Sequence, residues 1–248
     1  QRSRNNIFEL YGSNSLCGEK MILTWQQIPS PLVSEIMCHN YDGVVLDAEH
    51  GCFSNETLFS CIQVIKASKK RCFVRLTEVS KTMIRYCLDA GVDGLIFSTI
   101  ETKEQCEKIV EYCYYSPKGK RGLGLVRQNF WGEKELLQKD PIIVPQIETK
   151  QAVDNLKEII EFNFDYYLIG PYDLSLSLNI PAKFDNEEFI CYINKIKVSI
   201  PEAKMAVHIP SDIENQNEKY EQCAIKCLGM DTIALLEYNK RSLHSVKF

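Results

Sequence analysis

Eight short apolar runs, spaced along 248 residues, set the narrowest limit on what this chain can fold into. They read MILTW (21–25), GVVLD (43–47), CFVRL (72–76), DGLIF (93–97), IIVPQIE (142–148), DYYLIG (165–170), KMAVH (204–208) and DTIALL (231–236). Each is near-continuously apolar and most are rich in β-branched residues, as expected of parallel strands covered on both faces. The stretches between them carry helix signals. Ser54 is set to cap a helix over 55–69, and Ser80 one over 81–90 with Gly91 where a left-handed residue belongs. Thr102 precedes 103–115, Thr149 precedes 150–162, and Ser211 precedes 212–228 before Gly229. Eight strand–helix repeats in a chain of this length match a (β/α)8 TIM barrel, read as one domain over 1–248. A doubly wound open sheet is the alternative, and it normally uses fewer strands.

Composition narrows the function classes. Hydrophobic residues make up 45% and charged residues 25%, enough for a packed core, and the net charge is −4. An acidic balance of this kind argues against a nucleic-acid footprint or a polybasic membrane surface. No apolar run approaches the ~18 residues of a membrane span, and no signal-peptide pattern opens the sequence. The eleven cysteines are scattered without a C-x-x-C pair, and Cys223 and Cys227 fall on an expected helix. Reduced, mostly buried thiols in a cytoplasmic protein are the expectation.

In a parallel barrel the functional residues stand where strands end and βα loops begin. The second run ends in Asp47, Glu49 and His50; the third carries Arg75; the fifth ends in Gln146 and Glu148; the sixth runs through Gly170 and Pro171 to Asp173. Each residue alone has a plain explanation as a cap, a solvated group or a rim ion pair. Together they bring carboxylates, one cation and one imidazole to one rim. Few protein oxygen donors suit a hard divalent ion such as Mg2+ or Mn2+, which keeps water or substrate in its remaining positions. None of the runs ends in a lysine, and Lys204 begins its strand at the wrong face, so a Schiff-base route lacks its nucleophile. A loop at 116–132 holds Lys118, Lys120, Arg121 and Arg127 and reads either as a solvated basic loop or as a lid touching substrate anions.

The motifs LDAEHG, VRL, GKRGLG, QIET and GPYDLS stand in an order and spacing that resemble the HpcH/HpaI aldolases, over roughly residues 15–235. The resemblance implies a class II pyruvate aldolase (an aldehyde-lyase) that reversibly cleaves a 4-hydroxy-2-oxo acid, sugar-acid-like in character, to pyruvate and an aldehyde through a metal-stabilised enolate. It implies a divalent cofactor (Mg2+, Mn2+ or Co2+) on Glu148 and Asp173. Arg75 would bind pyruvate together with Gln146, Gly170 and Pro171. His50 would be the acid/base group, Asp89 in YCLDAG would orient it, and Asp47 and Glu49 would steer the metal's waters. It further implies a homo-oligomer, a hexamer or trimer, with a small-molecule substrate and neither nucleic acid nor membrane as partner. A free imidazole titrates near pH ~6.5, which suits proton transfer in either direction.

Three places depart from the pattern. Ser98 in FSTI (97–100) stands where proline is expected, LLEYNK (235–240) replaces a Gly-Ser/Thr-Asp turn after the eighth strand, and His208 in VHIPS has no assigned role. The first two bear on the aldehyde half more than on the pyruvate half. The rival readings are another metal-dependent lyase of the same barrel type, on a citryl-CoA-like or carboxyvinyl substrate, and a non-catalytic barrel that binds a sugar acid.

Overall fold

A computed structural model describes residues 20–134, 140–211, 213–216 and 220–244. Eight strands pair in sequence order, all parallel, and close into a barrel. They are β1 (Met21–Gln26), β2 (Gly43–Asp47), β3 (Arg71–Leu76), β4 (Gly94–Phe97), β5 (Ile142–Ile147), β6 (Tyr167–Ile169), β7 (Met205–Ile209) and β8 (Ile225–Met230). The helices are α1 (Pro31–Met37), α2 (Asn55–Ala67), α3 (Lys81–Ala90), α4 (Lys103–Cys113), α5 (Lys150–Asp154), α6 (Leu156–Ile160), α7 (Pro171–Ser177), α8 (Glu187–Ser199), α9 (Ile213–Gln216) and α10 (Asp231–His244).

The expected caps hold at four helices. The Ser54, Ser80, Thr102 and Thr149 hydroxyls accept backbone N–H groups in the first turns of α2, α3, α4 and α5. Gly91 ends α3 at φ +94°, a conformation that costs glycine nothing. The helix expected over 150–162 breaks at Asn155, whose side-chain amide donates to the Glu101 carbonyl.

Strand alternation builds two cores. Val44, Leu46, Cys72, Val74, Leu95 and Phe97 point outward against the helices. Leu23, Trp25, Val45, Phe73, Ile96 and Val144 fill the barrel. The same parity turns Asp47, Arg75, Ser98, Gln146, Gly170 and His208 inward at the carboxyl ends of their strands, which is how a run of β-branched residues delivers polar groups to one rim.

The last quarter of the barrel departs from the sequence expectation. The eighth strand is Ile225–Met230, and 231–236, read as strand, is the start of α10. Lys226 and Gly229 interrupt the apolar pattern of the real strand, whereas Ala234, Leu235, Leu236 and Glu237 are strong helix formers. Among the described residues of the span where a helix over 212–228 was expected, only Ile213–Gln216 is α-helical; residue 212, beside the proposed Ser211 cap, and residues 217–219 lie outside the described residues. Cys223 and Cys227 therefore sit before and within β8, both buried. β8 passes directly into α10 at Met230–Asp231, so LLEYNK is no rim replacement; it lies along α10. The Asp231 carboxylate accepts N–H bonds from Gln27 (2.9 Å) and Ile28 (2.8 Å), which ties the last strand to the first.

All the cysteines in the described residues are free, and only Cys52 and Cys191 among them are exposed; Cys17 lies outside the described residues. Among the described residues no helix is long and apolar enough to cross a membrane.

Candidate active site

The rim is organised around Asp47, which is wholly buried. One carboxylate oxygen accepts from Arg75 Nε at 2.9 Å and from the Glu49 and His50 backbone N–H groups, both at 3.2 Å. The other accepts from Arg75 Nη2 (2.7 Å), Gln27 Nε2 (3.0 Å) and Trp25 Nε1 (3.1 Å). Burial pushes the Asp47 carboxyl upward, but the bonds and charge of Arg75, with Gln27 and Trp25, outweigh it and hold the group at about 2. Its charge is thus fixed at any physiological pH, and so is the turn that carries Glu49 and His50.

Arg75 reaches Glu49 Oε2 through Nη1 at 2.7 Å. The same oxygen accepts from the Ser98 hydroxyl at 2.7 Å. Arg75 also lies 4.9 Å from the Trp25 ring centre, and the His208 imidazole stacks on that indole at 4.2 Å. His208 Nε2 stands 3.3 Å from the Gly229 carbonyl oxygen. Burial lowers its pKa to about 4, and the nearby Arg75 charge works in the same direction, so the ring is neutral. His50 is the opposite case, with its side chain 63% exposed and its Nε2 3.8 Å from Glu49 Oε2.

Across the mouth, Glu148 follows β5. Its Oε1 accepts from the Thr99 backbone N–H (2.7 Å) and hydroxyl (2.9 Å), and its Oε2 accepts from Gln146 Nε2. Burial, with the charges of Asp173 and Glu49 acting the same way, pushes Glu148 up to about 7 against the Thr99 bonds. Asp173 sits in the first turn of α7, exposed, just past Gly170 and Pro171. Gly170 admits this approach: a Cβ there would lie 2.7 Å from Glu148 Cβ and 2.8 Å from Oε2.

These observations test whether a divalent cation fits. Arg75 is already committed to Asp47 and Glu49, so the Glu148–Asp173 pair has no positive partner of its own in the contacts described. Gln146 Oε1 beside it is a buried acceptor with no hydrogen-bond partner. Two carboxylates, with the charge of Asp173 raising the proton affinity of Glu148, next to an orphaned oxygen form a hard, oxygen-only donor set that a Mg2+-like ion would satisfy. Among the described residues no group of three or more His, Cys, Asp or Glu is arranged to hold a metal.

Of the residues singled out from sequence, Asp47, Glu49, His50, Arg75, Gln146, Glu148, Gly170, Pro171 and Asp173 gather at this rim. Asp89 does not. It lies in the last turn of α3, at the base of the barrel, where Arg121 Nη2 donates to it at 2.9 Å. Within one chain it cannot orient His50, because α3 runs away from the rim. The basic loop is at the base too: Lys118 pairs with Asp140, Lys120 with Glu111, and Arg127 donates to the Ala90 carbonyl. A lid over its own rim is therefore excluded, and the loop's charges serve internal contacts. Sequence reading missed Thr99, Trp25 and Gln27 and left His208 without a role. The one signal for the first was the unusual FSTI turn.

A family model described as HpcH/HpaI aldolase/citrate lyase matches residues 24–236. The 2-keto-3-deoxy-L-rhamnonate aldolase of Escherichia coli (strain K12) is 32% identical over 179 residues, 69% of this chain and 67% of that protein. Among solved structures, a HpcH/HpaI aldolase/citrate lyase family protein from Burkholderia cenocepacia J2315 matches with a TM-score of 0.83 at 21% identity, covering 96% of this chain and 97% of that one. The citrate synthase SbnG matches at 0.79 and 25% identity, covering 92% and 93%.

Proposed function

The chain belongs to the HpcH/HpaI aldolase/citrate lyase family, and from that premise we propose that it is an aldehyde-lyase cleaving a sugar-acid-like 4-hydroxy-2-oxo acid reversibly to pyruvate and an aldehyde. The observation that carries this reading is an acidic pair, Glu148 and Asp173, set across one barrel mouth from a buried guanidinium, Arg75, that is already paired with Asp47 and Glu49. The relative named as acting on 2-keto-3-deoxy-L-rhamnonate supports the sugar-acid class.

Glu148 and Asp173 would hold a divalent cation, Mg2+, Mn2+ or Co2+, which when bound supplies Lewis-acid polarisation of the substrate's 2-oxo group. The chain's own residues do the rest. Arg75 commits three of its five N–H groups to Asp47 and Glu49 and keeps two for the substrate carboxylate. Asp47 holds that guanidinium in place through two hydrogen bonds, so its field at the reacting carbons needs no reorganisation. His50, exposed and fixed at its backbone by Asp47, takes the proton of the 4-hydroxyl. The C3–C4 bond then breaks with its electron pair on C3, the aldehyde leaves, and the protonated His50 gives its proton back to C3, directly or through water, to yield pyruvate.

The trimer or hexamer implied by the resemblance gives Asp89 its route to a histidine, from the base of one copy to the rim of another. Exposed Leu123, Leu125, Phe130 and Trp131 in the base loop support such a contact. The free cysteines suit a reducing, cytoplasmic setting. A second reading, a citrate-type condensation, draws support from the 25% identity to SbnG.

The test is pyruvate release, coupled to lactate dehydrogenase, from a panel of 4-hydroxy-2-oxo acids with each cation. Release that stops with EDTA and falls at least about 100-fold in Glu148→Ala is expected. Full activity after EDTA would overturn the assignment of a cation to Glu148 and Asp173, and turnover of citrate-type substrates alone would overturn the aldolase reading.

A further inference from the structure

The turn after β4 sits between the two halves of the rim and touches both. Ser98, buried and turned inward by strand parity, donates to Glu49 Oε2, the oxygen that also receives Arg75. Thr99 donates both its backbone N–H and its hydroxyl to a single oxygen of Glu148. To do so Thr99 takes φ +52°, a left-handed conformation that is unfavourable for a β-branched residue. Its carbonyl is held from behind by Gln105 Nε2 at 3.1 Å, and Gln105 is itself locked in the capping box of α4. A strained residue braced on one side by a helix cap and spent on the other on one carboxylate oxygen is a device for aiming that carboxylate.

We propose that Ser98 and Thr99 form a hydroxyl clamp that fixes Glu49 and Glu148, and that Thr99 thereby sets the affinity of the rim for a divalent cation. This rests on the reading of Glu148 as a cation ligand given above. Both residues are positioning residues: each acts through a carboxylate. The division of labour is specific. Thr99 serves the acidic pair, and Ser98 serves the guanidinium side through Glu49. An unclamped glutamate spends rotamer freedom each time it binds an ion, whereas Glu148 already has one oxygen saturated by two donors.

Mn2+ titration followed by the EPR signal of the free ion reads this without turnover. The wild type should bind Mn2+, and Glu148→Gln should lose it. Absence of Glu148-dependent binding removes the metal reading and the clamp with it. Given that binding, Thr99→Val, which keeps the β-branch and removes the hydroxyl, should raise the Mn2+ dissociation constant about tenfold. Thr99→Ser should restore it to within about threefold. At saturating Mn2+ the Thr99→Val enzyme should recover most of its kcat. Ser98→Ala should leave Mn2+ binding within about twofold and instead raise the KM for pyruvate in methyl-proton exchange about fivefold. If Thr99→Val does not fold, Thr99→Ala takes its place, with a melting curve as the check. Wild-type Mn2+ affinity in the Thr99 variant, or equal weakening by Ser98→Ala and Thr99→Val, would overturn the clamp.

Discussion

Replacing Asp47 by asparagine keeps the shape of the side chain and removes the charge on which the rim converges. The carboxylate accepts six N–H donors, three on each oxygen. An amide has one acceptor oxygen, so its NH2 would meet donors on the other side. Two estimates bound the cost. Holding the carboxyl at about 2 against an ordinary 3.8 amounts to about 2 kcal/mol of folding stability. Removing one partner of a buried ion pair costs about 3–5 kcal/mol, and the remaining Glu49–Arg75 contact puts Asp47→Asn toward the lower end. About 3 kcal/mol corresponds to a melting temperature lower by roughly 6–12 °C for a domain of this size. The pH dependence has a definite sign, because a depressed folded-state pKa stabilises above the unfolded value and the effect is lost as pH falls through the folded one. The melting gap between wild type and variant, followed by circular dichroism, should be constant from pH 7 to about 4 and narrow from there toward about 2. A gap under about 3 °C at pH 7 would refute the reasoning, showing that Glu49 alone suffices for Arg75. A gap that does not change with acidity would remove the charge argument.

Gly170→Ala drives a methyl to 2.7 Å from Glu148 Cβ, so Mn2+ affinity should fall about tenfold or more in a calorimetric titration while the fold persists. Of the cysteines described, only Cys52 and Cys191 should react with a thiol reagent in the native protein, and the double serine variant should lower the rapid thiol titre by two. Trp131→Phe leaves Trp25 as the sole tryptophan, and its emission should be blue-shifted and poorly quenched by acrylamide, because Trp25 is 1% exposed and Trp131 64%. Strong quenching of the remaining signal would mean that the barrel interior is open to solvent.

Most of the barrel was legible because seven strands are apolar runs too short for a helix and bounded by recognisable caps. The eighth was not. β8 carries Lys226 on its helix-facing side and Gly229 at φ +70°, so its pattern is broken just where the neighbouring DTIALL looks more strand-like than the strand itself. Rim residues followed from strand ends, since parity is the same in every parallel strand. What could not be read was anything set by tertiary pairing: that Asp89 spends its charge on Arg121 at the far end of α3, or that His208 stacks on Trp25 from six strands away. Ser98 and Thr99 were visible only as an oddity, because a positive φ at threonine has no signature in sequence.

The bonds from Gln27 and Ile28 to Asp231 also set an order of events during synthesis. The partners are 204 and 203 residues apart. At ~5–20 residues per second the amino-terminal partner waits roughly 10–40 s on the ribosome for the other to emerge. Gln27 further links Asp47 to the Thr232 hydroxyl. The polar network at the mouth is therefore completed by the first residues of α10, which follow the last strand. A nascent chain that has formed seven strands has most of its apolar burial and an open seam between β1 and β7, and the network through Gln27 closes only once residue 232 has been made.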